Sequence, residues 1–211
     1  MKSLMTGKLI TLEGIDGAGK STQLNWIVTL LQRAGVHAVV TREPGGTPFG
    51  EQLRSLLLDQ TSIMHAETEA LLMFAARREH VDKVILPSLA QGQWVISDRF
   101  TDASYAYQGG GRGLSQRKLN SLEEWTLGGL QPDLTLYFDV PVALAQHRVS
   151  QGGGVDRFET EQSDFFERVR SAYLERVQSF PQRIKLIDGS RSMVEVQIEV
   201  EHILQELLHH G

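Results

Sequence analysis

Apolar positions along the chain follow two alternating rhythms. Short compact runs at Leu9–Leu12, Ala38–Val40, Trp94–Asp98, Asp133–Asp139 and Ile184–Ile187 predict five strands. Between them the apolar residues recur every three or four positions. Leu24, Ile27, Val28, Leu30 and Leu31 predict a first helix that stops at Gly35, and Thr47 with Pro48 reads as the N-cap and first residue of a second, holding Leu53, Leu56, Leu57 and Leu58. The stretch from Glu67 to about Gln91 predicts one long helix, and Arg99 to Gly113 a loop with a short helix. Ser115 caps a further helix with Leu119, Leu122 and Trp125 on one side. Another runs from about Pro141 to a flexible break at Gly152–Gly154, and Phe165, Val169, Tyr173 and Val177 mark the one after it. The tail, Val194 to Leu208, mixes two periods and is read as helix from Val200, Ile203, Leu204 and Leu207. Strands alternating with helices imply an α/β fold with a five-stranded parallel sheet covered on both faces. Ligands then belong at the carboxyl ends of the strands.

Composition narrows the class. With 211 residues, 41% hydrophobic and 22% charged, the chain fits one globular domain, residues 1–211. No apolar run approaches the ~18 residues of a membrane span, and Met1 to Gly7 lacks the apolar run of an export signal. The net charge of −5 argues against general nucleic-acid binding. Absence of cysteine removes disulfides and thiolate metal sites and fits a cytoplasmic location. The histidines are scattered without ligand spacing, the tryptophans Trp26, Trp94 and Trp125 read as core, and Asp139 reads as structural.

The chemistry begins at the first strand. Gly14-Ile15-Asp16-Gly17-Ala18-Gly19-Lys20-Ser21 is a G-x-x-x-x-G-K-[ST] phosphate loop between a strand and a helix. Its glycines let successive backbone N–H groups approach a polyphosphate, and the helix start adds unpaired N–H groups. Residues 14 to 22, Thr22 included, form the predicted nucleotide-phosphate site, which the resemblance given below makes the ATP site. Lys20 supplies a mobile charge for the outer phosphates, and Ser21 a hydroxyl for Mg²⁺. A phosphate loop alone does not name a reaction. The second predicted strand runs out into Arg42 and the third ends at Asp98-Arg99, so two arginines face the loop, as a second phosphate-bearing ligand requires. No Asn-Lys-x-Asp guanine-reading motif is present.

Glu13 to Thr22, Arg42-Glu43-Pro44-Gly45-Gly46-Thr47, Phe74-Ala75-Ala76-Arg77, Asp98-Arg99-Phe100 and Ala106-Tyr107-Gln108-Gly109 together resemble the thymidylate kinases, in order and spacing from about residue 8 to 190. The resemblance implies the P-loop kinase fold and transfer of the γ-phosphoryl group of ATP, with Mg²⁺, to dTMP. It implies a homodimer with a helix-face interface. Asp16 is then the partner of the acceptor 3′-hydroxyl, Arg42 the bridge between donor and acceptor phosphates, and Arg99 a ligand of the acceptor phosphate. Asp98 either holds Mg²⁺ through water or orients the arginines. Phe74 resembles the ring that stacks on thymine. Either Arg77 or Arg78 reads the base, string alignment favouring Arg77 and the usual spacing favouring Arg78. Gln108 reads the amide edge, Tyr107 crowds the sugar 2′ position, and Ser104 lies near the base. The resemblance also implies a short lid at about 152–161. Eukaryotic members carry an arginine where this chain has Gly17, so the chain resembles the bacterial type, whose catalytic arginine comes from the lid. Gly152 stands where that arginine often is. Arg148 and Arg157 remain as candidates, Arg157 being favoured for its place just after the glycines.

Overall fold

The computed structural model describes residues 7–151, 157–158 and 161–209. The predicted lid and its glycine break fall largely outside them, with only 157, 158 and 161 described. Five parallel strands form one sheet in the order β2-β3-β1-β4-β5. They are β1 (Leu9–Glu13), β2 (Ala38–Arg42), β3 (Trp94–Asp98), β4 (Leu134–Asp139) and β5 (Ile184–Asp188). β1 is central and wholly buried, as a nearly continuous apolar run in a parallel sheet should be. Consecutive residues point to opposite faces. Leu9 and Val95 pack with Val81, Ile85 and Leu127, while Ile10 and Ile96 pack with Ile27, Leu136, Val169 and Val200. Both faces are thereby covered. The register sets Arg42 of β2 opposite Asp98 of β3, and Asp98 opposite Leu12 of β1, so the three carboxyl ends finish at one level.

Helix α1 (Lys20–Arg33) follows the phosphate loop, and α2 (Pro48–Leu58) begins where predicted, with the Thr47 hydroxyl accepting the Gly50 N–H at 2.9 Å. The predicted long helix is divided. It consists of α3 (Ala66–His80), a π-helical turn (Val81–Ile85) and α4 (Leu86–Ala90). Pro87 has no N–H and would clash with a carbonyl four residues back in an α-helix, and the wider turn accommodates it. The segment after β3 is α5 (Thr101–Ser104) running into a π-helical stretch, Tyr105–Gly111. The remaining helices are α6 (Gln116–Leu127), α7 (Val142–Ser150), α8 (Ser163–Ser179) and α9 (Met193–His209).

Two local expectations are corrected. Ser115 holds the N-cap position of α6 without a side-chain cap bond. Trp125 is not core: it is 80% exposed, whereas Leu119 is buried. A repeat of three slips by about 60° per step on a 3.6-residue helix, so positions 119, 122 and 125 do not share one face. Trp26 is partly buried and donates its indole N–H to the Gln197 carbonyl on α9 at 3.3 Å.

Candidate active site

The phosphate loop closes on its own lysine. Lys20, only 6% exposed at the start of α1, donates to the Gly14 carbonyl at 2.9 Å and the Ile15 carbonyl at 3.1 Å, and lies 3.4 Å from Asp16. Ser21 and Thr22 are exposed at the first turn of α1. Gly17 is required where it stands. Its φ is +84°, and a Cβ there would lie 2.3 Å from the Ala145 carbonyl of α7. From the same helix, Arg148 donates to the Gly17 carbonyl at 3.2 Å and to the Gly189 carbonyl at 3.0 Å.

Asp16 ties the loop to β3. Its Oδ1 accepts from Arg99 at 2.7 Å. Burial alone would raise its carboxyl, but the Arg99 guanidinium and then the Lys20 ammonium hold it well below the usual carboxylate range. Arg99 is held in a left-handed backbone conformation, φ +69°. Its neighbours fix that turn: the Arg99 N–H bonds the Leu12 carbonyl at 2.9 Å, the Phe100 N–H bonds Glu13 at 2.7 Å, and Ser97 Oγ bonds the Arg99 carbonyl at 2.7 Å. A strained non-glycine residue braced on three sides is an arrangement met at functional sites.

A cleft of about 280 Å³ opens beside this pair. Asp16, Arg42, Met73, Arg77, Asp98, Arg99, Ser104, Tyr107, Gln108 and Phe158 all line it. Arg77, 2% exposed, donates through Nε to Glu43 at 2.6 Å, through Nη1 to Ser104 Oγ at 3.0 Å and through Nη2 to the Phe100 carbonyl at 3.0 Å. His80 Nδ1 lies 2.9 Å from the second Glu43 oxygen. Arg42 is half-exposed and donates to Glu51 at 2.9 Å. The Arg99 guanidinium rests over the Tyr107 ring at 4.7 Å. Asp98 Oδ1 is buried, and among the described residues no donor reaches it.

Three of the expected site residues do not line the cleft. Arg78 points away from the cleft, on the exposed side of α3, and donates to Asp82 and the Thr126 carbonyl. Phe74 is 1% exposed and packs with Ala70, Tyr105, Leu114 and Leu119. It is not among the cleft's lining, and Arg77 lies over its ring at 4.6 Å. The cleft wall at that level is Met73, which sequence reasoning missed. It stands four before Arg77 and Phe74 three before it, so helical spacing by itself does not choose between them. The third is Arg157. It donates to the Leu57 carbonyl at 2.9 Å and to Glu69 at 2.5 Å, at the junction of α2 and α3 beside Gln108. Of the two candidate lid arginines, Arg148 is the one whose guanidinium touches the phosphate loop. Asp139 is a structural residue, accepting from Arg170 at 2.7 and 2.8 Å.

The sequence model of the family described as thymidylate kinase matches residues 12–200. A thymidylate kinase of Nitrosospira multiformis is 64% identical over 93% of this chain and 96% of its own length. One of Nitrosomonas europaea is 61% identical over 96% and 94%. Among solved structures, a thymidylate kinase from Ehrlichia chaffeensis matches with a TM-score of 0.77 at 35% identity, covering 94% of this chain and 98% of that one.

Proposed function

This chain belongs to the thymidylate kinase family and phosphorylates dTMP to dTDP with ATP, and on that premise we propose how its residues divide the work. ATP lies along the loop N–H groups of residues 14–22. Its phosphates draw Lys20 away from the Gly14 and Ile15 carbonyls it now caps. Arg148, already against Gly17, supplies the guanidinium that the phosphate loop lacks. dTMP fills the cleft, with its phosphate on Arg99 and Arg42 and its 3′-hydroxyl on the ionised Asp16. Its sugar faces Tyr107, and its base lies between Met73 and the polar pair Arg77 and Gln108. Ser104 and Glu43 act through Arg77, whose orientation they fix. The attacking phosphate oxygen is already anionic, so no strong base is needed and the residues chiefly position and neutralise charge.

The residues also fit a magnesium ion. Asp98 offers a buried carboxylate oxygen that no donor among the described residues reaches, and Ser21 offers a hydroxyl at the start of α1. Mg²⁺ usually takes one or two protein oxygens and completes its shell with water and substrate phosphates. Bound there, it would neutralise the charge on the transferring phosphate. The assembly we propose is a homodimer in the cytoplasm. Leu71 of α3 and Trp125 of α6 line one groove, and Phe49 and Leu56 stay exposed on the neighbouring α2.

The observation that carries this reading is the Asp16–Arg99 bond, which joins the phosphate loop to the acceptor cleft at 2.7 Å. The test is ADP release from ATP with dTMP, UMP, dCMP and dGMP as acceptors. dTMP should exceed UMP and far exceed dCMP. Equal turnover of dCMP and dTMP, or ADP release independent of acceptor, would overturn it.

A further inference from the structure

Gln108 has an amide whose two ends are chemically opposite, and which end faces the cleft decides what the cleft can read. The residue is 1% exposed, in the π-helical stretch. Its Nε2 donates to Glu69 Oε1 at 2.8 Å. Glu69 is equally buried, on α3, and every partner it has among the described residues is a donor. Its Oε2 accepts from Arg112 Nε at 3.2 Å and from Arg157 Nη2 at 2.5 Å. A carboxylate between two guanidiniums offers only lone pairs, so the NH₂ end of Gln108 must face it. The carbonyl end is left over. The one side-chain hydrogen bond of Gln108 among the described residues is the one its Nε2 gives to Glu69, so Oε1 has no donor there, and Gln108 lines the cleft.

Arg77 lines the same cleft and is a donor at every nitrogen, with three of its five N–H groups directed to Glu43, Ser104 and the Phe100 carbonyl. Where these two residues meet the cleft, Gln108 offers an acceptor and Arg77 offers donors. That order is complementary to a pyrimidine with an N3–H beside a 4-oxo group. Cytosine presents the reverse, a lone pair at N3 and an amino group at C4.

We infer that Glu69 is a specificity-determining positioning residue: it never touches the substrate, but it locks the Gln108 amide in the one orientation that accepts thymine N3–H and repels cytosine N3. The inference rests on the reading of the cleft as the acceptor site. Without a carboxylate at position 69, the amide is free to turn, and both orders of donor and acceptor become available. Mismatched polar groups in a buried site discriminate by large factors, so loss of the lock should be visible in acceptor choice.

The experiment measures kcat and KM for dTMP and dCMP with saturating ATP, in the wild type, Glu69→Gln and Gln108→Leu. Wild-type turnover of dTMP comes first, since its absence would sink the acceptor-site reading itself and not merely the role of Glu69. In Glu69→Gln the ratio of kcat/KM for dTMP over dCMP should fall roughly tenfold or more, with the KM for ATP unchanged. Gln108→Leu leaves the Glu69, Arg112 and Arg157 cluster in place, so it keeps the test decisive if Glu69→Gln folds poorly. It should lower the same ratio, and combining the two changes should add little, because they remove one interaction. A Glu69→Gln enzyme that weakens on both acceptors equally, keeping the ratio, would make Glu69 merely structural. A Gln108→Leu enzyme with the wild-type ratio would also overturn the inference.

Discussion

Glu13 shows how much one buried carboxyl can govern. It ends β1 with no exposed surface, accepts the Phe100 N–H at 2.7 Å and meets the Tyr173 hydroxyl at 2.7 Å. Burial, and then the Asp102 carboxylate, push its carboxyl up to about 8, against opposing hydrogen bonds from Tyr173 and Phe100 and the charge of Arg99. The folded value lies above the unfolded one of 4.5, so between them the native state holds a proton that the unfolded chain has released. The stability from this group is complete below about pH 4.5 and is lost as pH rises through about 8. Urea unfolding should show a wild-type contribution falling by up to about 1.4 kcal/mol per pH unit across that window, and Glu13→Gln should lack it. Parallel pH profiles for the two proteins would refute the account. Met73 and Phe74 carry a second lesson at this scale. Adjacent residues on a helix differ by about 100°, and that angle alone sends one to the cleft and the other to the core.

At the level of elements, the π-helical stretch Tyr105–Gly111 presents Tyr107 and Gln108 to the cleft, and its backing is α8. The close approach depends on glycine. A Cβ at Gly110 would lie 2.6 Å from Ala172, and one at Gly111 would lie 2.4 Å from the Phe165 ring. Gly111→Ala should therefore push the stretch off α8 and lower stability by about 1–3 kcal/mol, as overpacking does. Because Gln108 moves with it, the KM for dTMP should rise more than that for ATP. Equal increases in both constants, or no loss in a thermal melt, would argue against this coupling. The π turn at Val81–Ile85 has a different origin, Pro87, and it lies in the cluster with Leu9 and Val95, away from the cleft.

For the molecule as a whole, the parallel sheet gathers Arg42, Asp98, Arg99 and the phosphate loop at one end, and α3 closes the side of the cleft with Met73 and Arg77. The outer surface of that same layer carries Leu71 and Trp125 in one groove. An exposed apolar groove of this kind is a common mark of an interface. The expected outcome is a dimer by sedimentation velocity at micromolar concentration. The pair Leu71→Glu and Trp125→Glu should shift it to monomer. A wild-type monomer would refute the proposed homodimer, and an unchanged dimer in the variant would move the interface elsewhere. No helix of the described residues is long and apolar enough to cross a membrane.

The chain by itself determined the things that depend on short-range pattern. Five apolar runs became five parallel strands, Thr47 became a cap, and the phosphate loop with Arg42, Asp98 and Arg99 fell at strand ends because alternation of strand and helix leaves no other place for them. Tertiary structure alone decided which of several similar side chains faces the cleft. Arg77 rather than Arg78, and Met73 rather than Phe74, follow from how α3 is rotated against α6 and the π-helical stretch, and rotation is fixed by packing partners far away in sequence. Arg157 and Glu69 lie 88 positions apart, and Arg148 and Gly17 lie 131 apart. Pairings across such separations leave no local trace, because each residue type is equally at home as a solvated charge until the fold brings its partner within about 3 Å.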